Sequence, residues 1–271
     1  MSSFDAGWLD LREPADRAGR DMDLLSRAAR VAARSDPPVV VDLGAGTGAT
    51  MRALGPLLAP RQTWRLIDRD PALLAEACRR AAEVAPSGTV VEQVEQDLGD
   101  IASLPLEGAT LVTASALLDL LPDTWLRAFA TRIASLALPL YAALTYDGRT
   151  SWCPVHARDA DMAAALNRHQ RTDKGLGSAL GPDAAPRLAE LMRRQGYAVF
   201  QAESPWVLGP AQARLQQALA EGYGQAARDL DLLPAAVVDA WLVFRRREAT
   251  TGTAEIGHLD LLALPPDLRD R

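Results

Sequence analysis

The sequence predicts an α/β fold built on a doubly wound, mainly parallel sheet, and three observations predict it. A β-branched run, Val39–Leu43, passes straight into the glycine-dense turn Gly44-Ala-Gly-Thr-Gly48. Such a run is the pattern of a strand buried on both faces, and glycines past its carboxyl end let the backbone turn tightly and approach a ligand. From there strand-like and helix-like segments alternate along most of the chain, the pattern of a sheet with helices on both faces. Finally, polar or small residues stand at the carboxyl ends of successive strands, where open α/β sheets bind their ligands.

The elements follow in order. A helix is expected over Ala15–Ala33, with Leu24, Leu25, Ala28 and Val31 at helical spacing; Pro37-Pro38 ends it. Strand one is Val39–Leu43, strand two Thr63–Asp68. The helix after it starts at Pro71, a favoured first-turn position, with Asp70 as its cap and Leu73, Leu74, Ala77 and Ala81 on one face. Strand three is Thr89–Val94 and strand four Ala109–Ala114. A helix from Pro122 leads to strand five, Leu138–Tyr146. The pattern then breaks. Asp147–Pro182 is rich in glycine, proline and polar residues, with one short helical stretch near Ala160–Arg168; so long a connection is usually functional. A helix over Ala184–Gln195, strand six over Ala198–Glu203, helices near Ala211–Asp229 and Ala235–Arg247, and a last strand, Ala254–Leu264, complete the chain. We therefore expect one domain over 1–271, with an N-terminal helical lid (1–34), a substrate-side insertion (147–183) and a helical insertion (210–248) that forms a cap or a homodimer surface.

Composition narrows the function classes. Of 271 residues 48% are apolar, enough for a substantial core. No apolar run nears the roughly 20 residues of a bilayer span, and Met1–Trp8 lacks a signal-peptide layout, so no membrane association is expected. Cys78 and Cys153 make neither a disulfide framework nor a metal pair; no metal site and a cytoplasmic location are expected. The formal net charge of −6 disfavours a nucleic-acid partner. The densest basic run, Arg245–Arg247, reads as a solvated helix end, where cations favour the helix dipole.

The glycine turn opening a helix marks a nucleotide-type cofactor site, because free helix N–H groups face the ligand. Gly44-Ala-Gly-Thr-Gly-Ala49 also satisfies the dinucleotide form G-x-G-x-x-G/A, so spacing alone leaves the cofactor open. Asp42 inside the motif and the G-x-G-x-G spacing shift the balance. Asp42-Leu-Gly-Ala-Gly-Thr-Gly48 resembles the first motif of class I S-adenosylmethionine-dependent methyltransferases. The resemblance spans about Val39–Tyr146 and implies a seven-stranded, Rossmann-like methyltransferase sheet with a helical and loop cap inserted after strands five and six. It implies S-adenosylmethionine as cofactor, contacted by Asp42, Gly44, Ala45, Gly46, Thr47, Gly48, Asp68, Arg69, Asp97, Leu98, Ser115 and Ala116.

The residues support roles of their own. Asp68, at the end of strand two and 24 positions past Gly44, accepts both ribose hydroxyls or else caps the next helix. Asp97 accepts from an adenine amino group, with Leu98 donating its N–H, or else is a turn residue. Asp42 holds the glycine turn or the donor's amino group. Ser115 and Ala116 follow strand four, the family's fourth motif. Methyl transfer from a sulfonium is an in-line displacement whose reactive power belongs to the cofactor, so the protein chiefly aligns the reactants.

The acceptor side is read from rarity. The chain has 28 arginines but one lysine, Lys174, one asparagine, Asn167, and three histidines, His156, His169 and His258. Four of these five fall within His156–Lys174, just after strand five. Arg158, Arg171, Lys174 and Asn167 are therefore expected to bind a small anionic methyl acceptor, with His169 or His156 as general base; a surface loop pinned by its own salt bridges is the alternative. Trp8 and Arg12 from the N-terminal segment, Asp119 and Tyr146 complete the substrate candidates. Asp119 reads equally as a helix-start carboxylate, and His258 as structural. The fourth motif, Ala114-Ser-Ala-Leu117, lacks the Asn/Asp-Pro-Pro-Tyr run of amino-methylating nucleic-acid enzymes. Two rivals stand beside methyl transfer: an NAD-dependent oxidoreductase using the same glycine loop, and a non-catalytic nucleotide-binding or sensing protein.

Overall fold

A computed structural model describes residues 5–268. The expected first strand, β1 (Val39–Leu43), lies in the middle of the sheet and is nearly all buried. It pairs in parallel with β2 (Gln62–Asp68) on one side and β4 (Leu111–Ser115) on the other. β2 carries β3 (Thr89–Glu95), and β4 carries β5 (Leu140–Cys153), again in parallel. The last strand, β8 (Thr253–Leu264), runs antiparallel between β5 and β6 (Ala198–Glu203). The sheet order is β3-β2-β1-β4-β5-β8-β6, with short β7 (Trp206–Leu208) pairing the other half of β8.

Because strand side chains alternate faces, neighbours along β1 and β4 feed two different cores. Val40 and Leu111 pack with α2 (Met22–Ala32), α3 (Ala49–Leu54) and α4 (Pro71–Val84). Val41 and Val112 pack with α5 (Asp123–Ser135) and α7 (Ala184–Arg194). The doubly wound architecture is thus present. A third cluster lies beyond the carboxyl end of the sheet. There α1 (Ala6–Gly19), α6 (Asp159–Gln170), α8 (Ala213–Asp229), α9 (Ala235–Glu248) and the outer halves of β5 and β8 enclose Trp152, Tyr223 and Trp241. This is the cap.

Three expectations are corrected, and one short strand, β7, is added. The single N-terminal helix is two, α1 and α2. Arg20 has extended backbone and Asp21 caps α2 by accepting the Leu24 N–H at 2.7 Å, a cap signal that outcompetes the continuous apolar spacing. Strand five runs on to Cys153 instead of ending at Tyr146, because its outer half pairs with β8. A register shift between Ala142 and Thr145 bends it there; Leu144 takes φ +55° and donates its N–H to Asp260. β7 is too short to leave a periodic signal. Arg245, read as solvated, is buried in the cap. It pairs with Asp159 and lies over the rings of Trp152, Trp241 and Phe244. No helix among the described residues is long and apolar enough to cross a membrane, and they hold no cluster able to ligate a metal.

Candidate functional site

Register sets the site. Leu43 stands level with Ile67 on β2 and Ala114 on β4, so the turns after β1, β2 and β4 emerge side by side. They surround a cavity of about 360 Å³, closed from above by Leu9, Arg12 and Asp16 of α1. Gly44, Ala45, Gly46, Thr47, Asp68, Arg69, Asp97, Leu98, Ser115 and Ala116 all line it.

The glycine turn needs its glycines. Gly44 and Gly46 adopt φ +63° and +51°, and a Cβ at Gly46 would stand 3.1 Å from Leu9 Cδ1. Gly48 lies behind the turn and does not line the cavity; at φ +81° it begins α3, with a Cβ position 3.3 Å from Ala77. Asp68 bridges two turns, its carboxylate accepting the Gly46 N–H at 2.8 Å and the Asp70 N–H at 3.0 Å. Asp70, as expected, caps α4. Asp97 accepts the Gly99 N–H at 2.7 Å, a turn role, while still facing the cavity. Ala116 sits at φ +49°, a conformation costly for a residue with a Cβ and typical of ligand-clamping turns.

Asp42 lies beneath the turn, 1% exposed. It takes a hydrogen bond from Thr113 Oγ1 at 2.6 Å, and its other oxygen has no partner. Burial pushes its carboxyl up to about 6, against the pull of Thr113 and Arg20. Arg20 is the residue that sequence reasoning missed. It is 4% exposed, donates to Ser115 Oγ at 2.9 Å, and leaves Nη1 buried without a partner. It lines a small pocket of about 60 Å³ that shares Asp16 and Ala49 with the main cavity. Its signal was Asp21: a cap there places Arg20 at a helix break instead of on a helix face.

The acceptor candidates divide. Arg12 and Lys174 line the cavity. Arg12 is held by both oxygens of Asp16, at 2.9 and 3.0 Å, and lies over the Trp206 ring. Lys174 stands at the tip of a tight turn in which Asp173 accepts the Gly175 and Gly177 N–H groups. Asp119, on the single turn Leu118–Leu120 after β4, is 6% exposed, with Oδ1 buried and unpartnered. Burial pushes it up to about 6, opposed by Arg12 and Lys174.

Asp119 and the remaining candidates are outside the cavity lining. Trp8 packs against the cap cluster. Tyr146 donates to Asn167 Oδ1 at 2.8 Å, and Asn167 donates to the Gly148 carbonyl, so both pin the bent strand. Arg158 pairs with Asp161, and Arg171 with Asp183. The half-buried His156 ring lies 4.9 Å from the Phe244 ring, tilted by 51°. His169 stands behind Lys174, with one ring nitrogen 3.3 Å from Lys174 Nζ and the other 3.3 Å from Asp229; burial and Lys174 hold its pKa down. His258 is structural in position: buried, bonded to the Ile256 carbonyl and pushed down to about 3 by burial and Arg12.

The strand order separates this fold from the 3-2-1-4-5-6 dinucleotide type, since antiparallel β8 lies between β5 and β6. Solved structures share the arrangement. The YcgJ protein from Bacillus subtilis is similar over 90% of this chain and 97% of its own, at 12% identity and TM-score 0.53. A protein from Bacillus halodurans C-125 described as a methyltransferase is similar over 89% and 98%, at 12% identity and TM-score 0.52.

The chain has the class I methyltransferase fold.

A magnesium protoporphyrin IX methyltransferase from Synechocystis PCC 6803 with bound SAH is also similar, over 75% of this chain and 83% of its own, at 17% identity and TM-score 0.47. No family model and no curated protein matches the sequence. Residues of all four βα turns, after β1, β2, β3 and β4, line one cavity, while Asp42 and Gly48 do not.

Proposed function

We propose that the protein transfers a methyl group from S-adenosylmethionine to a small anionic acceptor. One observation carries the donor: two buried, oppositely charged groups, Asp42 Oδ2 and Arg20 Nη1, lack partners beside the glycine turn. Orphaned buried polar atoms are costly, and the amino and carboxylate groups of an amino-acid moiety would satisfy both. Asp68 and Asp97, both in the cavity wall, would take ribose and adenine hydrogen bonds. Ser115, fixed by Arg20, and Ala116 would flank the reacting centre. When bound, the donor supplies an electrophilic methyl on a sulfonium. The protein's part is then to hold the reactants in line and exclude water.

Lys174, a cation at the cavity wall, supports the anionic acceptor; Arg12 beside it is already paired with Asp16. Calorimetry separates this reading from its rivals. S-adenosylmethionine and S-adenosylhomocysteine should bind and NAD should not; tight binding of NAD alone refutes it. Transfer of labelled methyl to a small molecule in cell extract distinguishes an enzyme from a binding protein.

A further inference from the structure

We propose that Lys174, positioned by His169 and Asp229, holds the methyl acceptor by a carboxylate group. The inference rests on the methyl-transfer reading and names the acceptor's chemical class. Lys174 is the one lysine of the chain, and it lines the cavity. Its turn packs where the cavity is bounded by the segments after β3 and β4. A Cβ at Gly99 would stand 3.2 Å from Leu176 Cδ2, and the Leu180 N–H donates to the Leu121 carbonyl. Arg20, suited to the donor's carboxylate, lines instead the small pocket with Arg17 and Arg52, which Lys174 does not reach. The two cations therefore serve different groups.

Three side chains from three elements form a chain that starts at the cavity wall. Lys174 Nζ is 3.3 Å from His169 Nδ1 on α6, and His169 Nε2 is 3.3 Å from Asp229 Oδ2 at the end of α8. Gln225 donates to the other Asp229 oxygen at 2.6 Å and steadies it. An ionised carboxylate only accepts, and a neutral imidazole has one donor and one acceptor nitrogen. Asp229 therefore fixes the ring proton on Nε2 and leaves the Nδ1 lone pair to the Lys174 ammonium. An ammonium has three N–H donors. One goes to His169, and among the described residues the other two have no protein acceptor. Asp119 attracts Lys174 without a hydrogen bond to it. One positive charge with two donors to spare matches one carboxylate. A phosphate monoester carries about −1.5 to −2 and would need a second cation, yet Arg12 is already paired with Asp16.

The chain works only with a neutral His169, which burial and Lys174 favour. The other elements packed on α6 commit their charged and titratable groups elsewhere. On β5, Tyr146 donates to Asn167 and Asp147 pairs with Arg149; Asp183 pairs with Arg171; on α8, Arg228 pairs with Asp239. Protonating His169 turns Nδ1 into a donor and sets a second positive charge against the ammonium. Lys174 then loses its place, while Asp229 balances the new charge. Acceptor binding should therefore weaken in acid, above the range in which a carboxylate itself is protonated.

The test uses the full chain, donor carrying a tritium-labelled methyl, and the small-molecule fraction of the producing cells as acceptor source. The labelled product, identified by mass spectrometry, should derive from an acceptor that bears a carboxylate. Lys174→Met should raise the amount of fraction needed for half-maximal rate by about 10–100-fold, as expected for a lost charge-assisted hydrogen bond, while binding S-adenosylhomocysteine as wild type does. His169→Gln, whose amide can accept from Lys174 and donate to Asp229, should stay close to wild type at neutral pH. It should also lack the rise in half-saturating amount that wild type shows as pH falls below 6.5. A merely structural histidine would give neither the rescue nor the altered pH profile. Independently of turnover, ¹⁵N-NMR of the ring in the S-adenosylhomocysteine complex should find Nδ1 unprotonated at neutral pH, with a midpoint below 6.5. A protonated Nδ1 at neutral pH overturns the proposal. So does an acceptor without a carboxylate, unchanged saturation in Lys174→Met, or altered S-adenosylhomocysteine affinity in that variant. Failure of wild type to bind either sulfur nucleoside, or to label any component, overturns instead the methyl-transfer reading beneath it.

Discussion

Asp42 ties folding stability to pH in a way that Asp42→Asn exposes. Its folded-state pKa is raised from 3.8 to about 6, chiefly by complete burial. A raised carboxyl pKa means that the fold prefers the neutral form. Its stabilising contribution is full below the unfolded value and is lost as pH climbs through the folded one. At pH 5 the folded carboxyl is mostly protonated and the unfolded one mostly ionised; at pH 8 both are ionised. The stability linked to Asp42 should therefore fall by about 1–2 kcal/mol between pH 5 and pH 8. Asparagine keeps the oxygen that accepts from Thr113 and does not titrate. Urea unfolding, followed by tryptophan fluorescence at intervals across that range, gives both curves. The wild-type curve should descend relative to the variant by the stated amount, with Asp119 and all other groups cancelling in the difference. Saturating S-adenosylmethionine should abolish the slope, since an ammonium beside Asp42 favours its charged form. Parallel curves without ligand would refute the burial argument, and a slope unchanged by ligand would remove Asp42 from the donor site.

Three further outcomes are expected. Asp68→Ala removes charge-assisted acceptors worth about 1.5–3 kcal/mol each, so calorimetry should show S-adenosylmethionine affinity lowered by on the order of 10²-fold; wild-type affinity removes Asp68 from the site. Arg245→Ala strands Asp159 inside the cap and should cost roughly 3–5 kcal/mol in urea unfolding, whereas a loss under about 1 kcal/mol would restore the solvated reading. Asp260→Ala leaves the Asp21 N–H, the Leu144 N–H and the Tyr141 hydroxyl without their acceptor. It should cost about 3 kcal/mol or more, and hydrogen exchange at Leu144 should speed up; an unchanged exchange rate would count against its role in the bend.

The glycine-turn side of the cavity was legible because it is local. A strand, a turn and a helix start fall within twenty residues, and their chemistry is fixed by glycine conformations and one acid per strand end. Asp68 and the turn after β4 followed from the same rule, applied strand by strand. The acceptor half depends on which distant segments meet, and spacing carries no record of that. Rarity drew attention to residues 156–174, of which only Lys174 lines the cavity; Arg158 pairs with Asp161, Asn167 bonds to β5 and Arg171 pairs with Asp183. Arg20 was hidden by an apolar repeat that ran through the break at Asp21. Arg245 was hidden by two neighbouring arginines that are solvent-exposed, since a triplet of like residues gives no hint that one of them faces inward.

The length of β5 and β8 has a mechanical consequence. Both strands continue from the sheet into the cap as one ladder, still paired at Trp152 with Ala254. Swinging the cap outward would therefore have to disturb the pairing of residues 150–153 with 253–256 or bend the strands at their register shifts. α1 contributes Leu9, Arg12 and Asp16 to the cavity wall. That helix is moored across the cleft by Glu13 to Arg52 and Asp10 to Arg80, attachments that ions in solution weaken. Added salt should therefore loosen α1 before it loosens the cap.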